Sequence, residues 1–324
     1  MNVTRRDFFI GAAAAAAVPG VAKAMQTAGG KDPSLSVFMS DIHVACAGIK
    51  TKWGAQPDYQ NPLFEKAVDE VLAMNPLPAR VVVFGDVALW FGWHQDYEKS
   101  LPAFDRLKAA GIEVFVTTGN HDHREPMFKC HPHQAEITPV PGRFVSVIDL
   151  GSADLFLMDS LKENPEGEGS GNAVDGALDE AQQQWLQKAA KEAKRPFFVG
   201  AHHDPDEVRI GDKKLTIALE DNPLFMGYVC GHHHRYFHKW YHAGYSKRRA
   251  TRLVCLPSTG WWGDIGYAVM RTFADRAGVI RMDQFAVVTR IADRFGDHRL
   301  HPRLLEHGIL SLKADGRRHT RDRQ

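Results

Sequence analysis

Five short apolar segments of this chain are each followed directly by side chains that can bind a metal ion. The motifs that follow them are Asp41-Ile42-His43, Gly85-Asp86, Gly119-Asn120-His121-Asp122, His202-His203 and Gly231-His232-His233-His234. The segments are rich in Val and aromatic residues, as buried strands are. Because ligands bind beyond the carboxyl ends of strands in α/β sheets, we expect these side chains to meet at one edge.

The first half of the chain alternates strand and helix patterns. Residues 36–39, 81–84 and 114–116 are short apolar runs, and the run at 81–84 is typical of a strand covered on both faces. Residues 63–74, and those around Leu101, Phe104 and Leu107, carry apolar side chains at helical spacing. This order predicts a βαβαβ unit, hence a parallel sheet with right-handed crossovers.

The second half predicts further strands and one capped helix within the same domain. Asp179 with Gln182 resembles a capping box that opens a helix. The simplest architecture is two packed sheets flanked by helices. The predicted elements are a hairpin at 144–149 and 153–158, a surface loop at 160–177, strands at 197–199 and 228–229, and an antiparallel pair at 266–273 and 279–287.

The residue types in the five motifs favour a particular class of metal. Carboxylates, imidazoles and an amide suit hard-to-borderline ions, and the absence of cysteine from the set argues against structural zinc. Glycines at 85, 119 and 231 allow the backbone to turn tightly beside the ligands. Each motif alone is also common in surface loops, but all five in this order favour a metal site.

The order of these motifs resembles the calcineurin-like metallophosphoesterase family over residues 35 to about 260. The resemblance implies an α/β fold, a four-layer α-β-β-α sandwich of two mixed sheets flanked by helices, with a catalytic domain at 35–290. It implies two divalent or trivalent ions per chain, drawn from Fe, Mn and Zn. One ion would be held by Asp41, His43 and His234, the other by Asn120, His202 and His232, with Asp86 bridging both.

The resemblance also implies hydrolysis of a phosphoester by a hydroxide that the two ions share. His121 is the candidate catalytic residue, protonating the leaving oxygen or stabilising the transition state. Asp122 would orient His121 or a metal ligand, and capping its own loop is the alternative.

Within the family, three features resemble the class III cyclic nucleotide phosphodiesterases. They are Gly-Asn-His-Asp followed by Arg124, the segment from Gly176-Ala177-Leu178 to Trp185-Leu186, and Leu256-Pro257-Ser258-Thr259. The expected substrates are cyclic nucleotides or other small phosphodiesters. The alternatives are a phosphomonoesterase with the same metal site and a metal-binding scaffold without catalysis.

Four residues are candidates for substrate contact: Arg124, His203, Trp93 and Trp261. Arg124 could bind a phosphate oxygen or pair with Glu125 or Asp122 on the surface. His203 could instead support the neighbouring ligand. The tryptophans could stack on an organic group or pack within the protein.

The two ends of the chain and its net charge indicate which partners and which compartment to expect. Thr4-Arg5-Arg6-Asp7-Phe8-Phe9, an alanine-rich stretch and Ala22-Lys23-Ala24 make residues 1–24 resemble a twin-arginine signal peptide, followed by a leader at 25–34. This implies the twin-arginine export machinery as a partner, a periplasmic or secreted protein, and no stable membrane insertion after cleavage. Residues 291–324 are expected to be a polar, basic tail. A net charge of +1 argues against a nucleic-acid partner.

Overall fold

The computed structural model describes residues 30–46, 57–241, 251–260, 263–274, 279–291, 302–305 and 309–313. The signal peptide expected at 1–24 and the candidate substrate contact Trp261 lie outside these residues. No helix among the described residues is both long enough and apolar enough to cross a membrane. The helices are α1 (Pro57–Leu72), α2 (His94–Ala109), α3 (Arg124–Cys130), α4 (Pro132–Ile137), α5 (Glu180–Glu192) and α6 (Leu215–Ala218).

Most of the strands among the described residues belong to two mixed sheets. Numbered along the chain, they are β1 (Lys31–Met39), β2 (Leu77–Phe84), β3 (Glu113–Thr117), β4 (Ser146–Asp149), β5 (Asp154–Leu157), β6 (Phe197–Gly200), β7 (Arg209–Ile210), β8 (Lys213–Lys214), β9 (Phe225–Cys230), β10 (Phe237–Tyr241), β11 (Thr251–Cys255), β12 (Asp264–Ala274), β13 (Val279–Ile291), β14 (Pro302–Leu305) and β15 (Ile309–Lys313).

The first sheet has the order β14-β13-β12-β1-β2-β3, with β15 also paired to β13. Strands β1, β2 and β3 are parallel, which confirms the predicted βαβαβ unit, and β12 and β13 form the predicted antiparallel pair. The second sheet has the order β10-β11-β9-β6-β5-β4, in which β5, β6, β9 and β11 run parallel. Two short strands from the predicted polar tail, β14 and β15, pair with β13.

Alternation along β2 shows why this strand is apolar throughout. Val81 and Val83 pack beneath α1 and α2, whereas Val82 and Phe84 pack between the two sheets against residues such as Leu155. Both faces are therefore buried, as the continuous apolar run predicted. A third core lies between the second sheet and α5, so the layers follow the order α-β-β-α.

Helix α5 begins as the sequence predicted. Asp179 accepts a hydrogen bond at 2.9 Å from the backbone N–H of Gln182, which caps the helix. The Gln182 side chain does not complete the capping box. Its amide instead bonds the backbone of Asp159 as donor (2.9 Å) and acceptor (3.2 Å), tying the helix to the end of β5.

Asp96, in the first turn of α2, gives the fold a dependence on pH. Its buried carboxylate accepts hydrogen bonds from the backbone N–H groups of Cys46 (2.7 Å) and Leu89. Burial raises the pKa of Asp96 from 3.8 to about 6, outweighing both donors. The stabilising contribution of the protonated form is therefore complete below pH 4 and is lost as pH rises through about 6.

We expect Asp96→Asn to flatten this dependence. For the wild type, the free energy of unfolding should fall by up to about 3 kcal/mol between pH 4 and pH 7. The variant should not show this decrease. Urea unfolding at a series of pH values measures the difference. Asp105→Asn, an exposed aspartate of the same helix, is the matched control and should keep the wild-type slope. If Asp96→Asn kept the wild-type slope, the pH dependence would not arise from Asp96.

Candidate metal centre

The predicted metal ligands lie at the carboxyl ends of strands from both sheets. Asp41 and His43 follow β1, Asp86 follows β2 and Asn120 follows β3. His202 follows β6 in the second sheet, and His232 and His234 follow β9. The sequence predicted a single edge, whereas the structure brings the edges of two facing sheets together. The turn after β9 illustrates this, because Gly231 donates its N–H to the carbonyl of His202 while His232 donates its N–H to the Asp41 carboxylate of the other sheet.

The backbone at these ligands is unusual. Asp41, His43, Asp86, His232 and His234 have φ between 47° and 69° and are the non-glycine residues of positive φ in the described part of the chain. The left-handed region costs an L-residue roughly 1–2 kcal/mol. Strain of this kind persists where the surrounding structure enforces it, and it concentrates at functional sites.

Gly119 and Gly231 provide the space that these turns need beside the carboxylates. A Cβ at Gly119 would overlap Asp86 Oδ1, and a Cβ at Gly231 would overlap Ser40 Oγ and lie 2.8 Å from Asp41 Oδ2. A side chain at either position would displace a carboxylate of the site. The glycines that the sequence placed beside the ligands are therefore required by close approach.

One cluster joins Asp41, His43, Asp86 and His234, whose ligand atoms lie within 4.8 Å of one another. His43 Nε2 lies 3.1 Å from His234 Nε2 and 3.7 Å from Asp86 Oδ2, and His234 Nε2 lies 3.2 Å from Asp41 Oδ1. All four side chains are buried. These are the residues that the sequence assigned to the first ion and to the bridge.

A second cluster surrounds His202. Its Nε2 lies 3.2 Å from Asn120 Oδ1 and 3.3 Å from Asp86 Oδ2, so Asp86 touches both clusters. Nitrogen atoms of His202, His203 and His232 lie within 4.8 Å of one another. The set assigned from sequence to the second ion is thus brought together, with His203 added to it.

The orientation of the imidazoles fits metal ions. His202 Nδ1 donates to the carbonyl of Phe84 at 2.7 Å, and His43 Nδ1 donates to the carbonyl of Leu89 at 3.2 Å. A carbonyl only accepts, so each ring presents the lone pair of Nε2 to the centre. Metal-binding histidines are held in this way by backbone carbonyls.

The electrostatics of these side chains also favour bound cations. Burial opposes ionisation of Asp86, but His202 and His121 hold its pKa well below the usual value; His234 does the same for Asp41 against its burial. Burial lowers the pKa of His43 to about 3 and of His232 to about 4, so these rings are neutral, the form in which imidazole binds a metal ion. Although burial opposes it, Asp86 raises the pKa of His202 to about 10, which shows how strongly this position favours a cation.

Comparison with known proteins identifies the family. The sequence model of the calcineurin-like phosphoesterases matches residues 36–236, which include the ligands from Asp41 to His234. The chain belongs to this family. It is therefore a metal-dependent phosphoester hydrolase, and the family depends on two metal ions. None of the curated proteins compared with the chain matches it.

Two solved structures are similar to this phosphoesterase. A dimetal phosphatase from Danio rerio is 14% identical, with 78% of this chain and 96% of that chain covered and a TM-score of 0.54. A 5'-nucleotidase precursor from Thermus thermophilus is 15% identical, with 86% of this chain and 54% of that chain covered and a TM-score of 0.40. The first of these likenesses supports the α-β-β-α sandwich.

His121 lies at the open side of the phosphoesterase site. Its side chain is 20% exposed, and Nε2 lies 3.9 Å from Asp86 Oδ2. Nδ1 is 3.1 Å from the carbonyl of Trp90, to which it donates, so Nε2 is the nitrogen turned toward the metal cluster. The Trp90 and His121 rings are 5.0 Å apart. Trp90 is therefore the tryptophan that the structure places beside the catalytic candidate.

Asp122 caps its loop and does not orient His121. Its buried carboxylate accepts from the backbone N–H groups of Gly119 (2.8 Å), Val87 (3.1 Å) and Ala88 (2.9 Å), and from Tyr97 Oη (3.2 Å). The prediction of a catalytic role is corrected to the alternative of loop capping. Its effect on the site is still direct, because it joins the turn of Asn120 to the loop of Asp86.

Arg124 was predicted to contact substrate, and its hydrogen bonds correct this. Nε and Nη2 each donate to Asp159 at 2.8 Å, Nη1 donates to Glu163 at 2.8 Å, and Nη2 also donates to the carbonyl of Leu161. Four of the five N–H donors of the guanidinium are thus occupied. No pattern in the sequence indicated these partners, which lie 35 and 39 residues away.

The two other described candidates for substrate contact, His203 and Trp93, differ in their exposure. His203 is fully buried within the second cluster, with Nδ1 2.7 Å from Ser160 Oγ and Nε2 without a hydrogen-bond partner among the described residues. Trp93 is 38% exposed and lies close to Gly169.

Proposed function

We propose that this phosphoesterase hydrolyses small phosphodiesters, with cyclic nucleotides as the leading substrate class. The observation that carries this proposal is the neutralisation of Arg124 by Asp159 and Glu163. A phosphomonoester carries up to two negative charges, and an available arginine next to the catalytic histidine would favour it. With that arginine paired, a diester with a single negative charge suits the site better.

The aromatic groups beside His121 support an organic leaving group. Trp90 packs against His121 and forms an edge contact with Phe91 at 6.1 Å. An indole next to the expected position of the leaving oxygen offers an apolar face on which a nucleoside or other organic group can rest.

The residues divide the chemical work. When bound, the two ions supply an activated water nucleophile and a Lewis acid for the phosphoryl oxygens. Asp41, Asp86 and the surrounding imidazoles would hold those ions, and positioning is most of what phosphoryl transfer requires. His121, with its Nδ1 proton held by Trp90, directs Nε2 toward the substrate and in its cationic form delivers a proton to the leaving oxygen.

A comparison of matched esters tests the proposal. For Mn²⁺-loaded protein, kcat/KM on bis-p-nitrophenyl phosphate should exceed that on p-nitrophenyl phosphate by about tenfold or more, equivalent to roughly 1.4 kcal/mol of barrier. Asn120→Ala should abolish both activities, which excludes a contaminating enzyme. A clear preference for the monoester would overturn the diesterase proposal and favour a phosphomonoesterase with the same metal site.

A further inference from the structure

Residues 160–177, the surface loop predicted from sequence, lie against the loops of the metal centre. Gly169 donates its N–H to the carbonyl of Phe91 at 2.9 Å, and Glu168 accepts from the N–H of His94 at 2.8 Å. Glu163 accepts from the N–H of Arg124 at 2.7 Å. The loop is therefore fastened both to the segment after Asp86 and to the segment after His121.

Asn172 makes the most direct of these contacts. Its Nδ2 donates to the carbonyl of Asn120 at 3.0 Å and to the carbonyl of Asp122 at 2.7 Å. Its Oδ1 accepts from the N–H of Asn164 at 2.8 Å. One side-chain amide thus joins the 160–177 loop to both ends of the Asn120–Asp122 turn.

Only one orientation of this amide satisfies its surroundings. Rotation by 180° would place Oδ1 against the two carbonyls and Nδ2 against the N–H of Asn164, turning all three hydrogen bonds into repulsive contacts. The donors are therefore assigned by the backbone groups around them, and the side chain is held in place from both sides.

The Asn120–Asp122 turn is otherwise fixed through its N–H groups. Asp122 accepts from the N–H of Gly119 at 2.8 Å, and Asp86 Oδ1 accepts from the N–H of His121 at 2.9 Å. Asn172 binds two of the carbonyls of the turn, those of Asn120 and Asp122, which these N–H bonds do not restrain. Rotation of the Asn120 peptide would move both a predicted metal ligand and the catalytic candidate, so restraint of its carbonyl bears directly on catalysis.

We propose that Asn172 is a positioning residue for this phosphoesterase: it fixes the peptide planes that aim Asn120 at the second ion and His121 at the substrate. The inference rests on the proposed function of that turn. Asn172 acts through the turn and does not itself touch the reacting atoms.

Replacing Asn172 by alanine tests this role. We expect Mn²⁺ affinity, measured by calorimetric titration, to fall about 10–100-fold, as for other residues that support a ligand. At saturating Mn²⁺, kcat should fall about 10–100-fold through misplacement of His121. KM should stay within about twofold, since no substrate contact is removed. Asn172→Asp, which keeps the shape but removes both donors, should give the same losses.

Asp175→Ala is the matched control. This exposed aspartate of the same loop pairs with Lys162, and none of its described contacts reaches Asn172 or the Asn120–Asp122 turn. It should keep wild-type Mn²⁺ affinity and kcat, even if thermal unfolding shifts.

Three results would overturn the proposal. They are unchanged affinity and kcat in Asn172→Ala, a lower Tm with normal affinity and kcat in the folded fraction, and equal losses in Asp175→Ala. If wild-type protein hydrolyses only monoesters, the diesterase proposal fails, and the Asn172 measurements are made on that activity and on Mn²⁺ affinity.

Discussion

Replacement of Asp86 by alanine should abolish phosphoester hydrolysis and remove both metal ions from the purified protein. Asp86 Oδ2 lies 3.3 Å from His202 Nε2 and 3.7 Å from His43 Nε2, so one carboxylate serves both clusters. Its loss also removes the acceptor for the N–H of His121. Elemental analysis of metal per chain and turnover of bis-p-nitrophenyl phosphate measure the two effects.

The control for Asp86 is an aspartate outside the site. Asp105→Ala changes an exposed residue of α2 and should retain wild-type metal content and turnover. Circular dichroism should show that Asp86→Ala keeps its helices and strands, because the change lies in a loop at the end of β2. A folded Asp86→Ala protein that retains two ions and turnover would contradict the bridging role.

Replacement of His121 by alanine should lower kcat by roughly 10²–10⁴-fold, the range for loss of an acid–base group, while both ions stay bound. Metal is expected to stay bound here, unlike in Asp86→Ala, because His121 lies in a different part of the site. The His121 ring is partly exposed and lies at the rim of the cluster, whereas Asp86 and most of the other predicted ligands are buried. Single-turnover rates at saturating Mn²⁺ measure the chemical step directly.

His133→Ala is the matched control for His121. His133 is an exposed histidine of α4 that pairs with Glu136, and its replacement should leave kcat unchanged. Loss of metal from His121→Ala would reassign the residue as a ligand. Turnover close to wild type, with metal retained, would remove it from the mechanism.

The elements and ligands that were predictable from sequence depend on local patterns. The run at 81–84 encodes a strand buried on both faces, and Asp86 is carried to the site simply because it follows that strand. The same holds for the other ligands. A motif directly after a strand needs no knowledge of distant residues to be placed at the end of the sheet.

The partners of these residues were not predictable, because they are distant in sequence. Arg124 was open to two interpretations until Asp159 and Glu163 were found beside it. Three of the four donors around Asp122 lie 25 to 35 residues earlier in the chain: the N–H groups of Val87 and Ala88 and the hydroxyl of Tyr97. Asn172 lies in a loop of ordinary polar composition, and only the fold brings its amide to the carbonyl of Asn120, 52 residues earlier.

The central claim is that Asp41, His43, Asp86, Asn120, His202, His232 and His234 hold two metal ions. Anomalous diffraction from crystals of the Mn²⁺-loaded protein tests it most directly. The structure predicts two anomalous peaks, one among Asp41, His43 and His234 and one among Asn120, His202 and His232, with Asp86 in contact with both. A single peak, or peaks away from these side chains, would contradict the account.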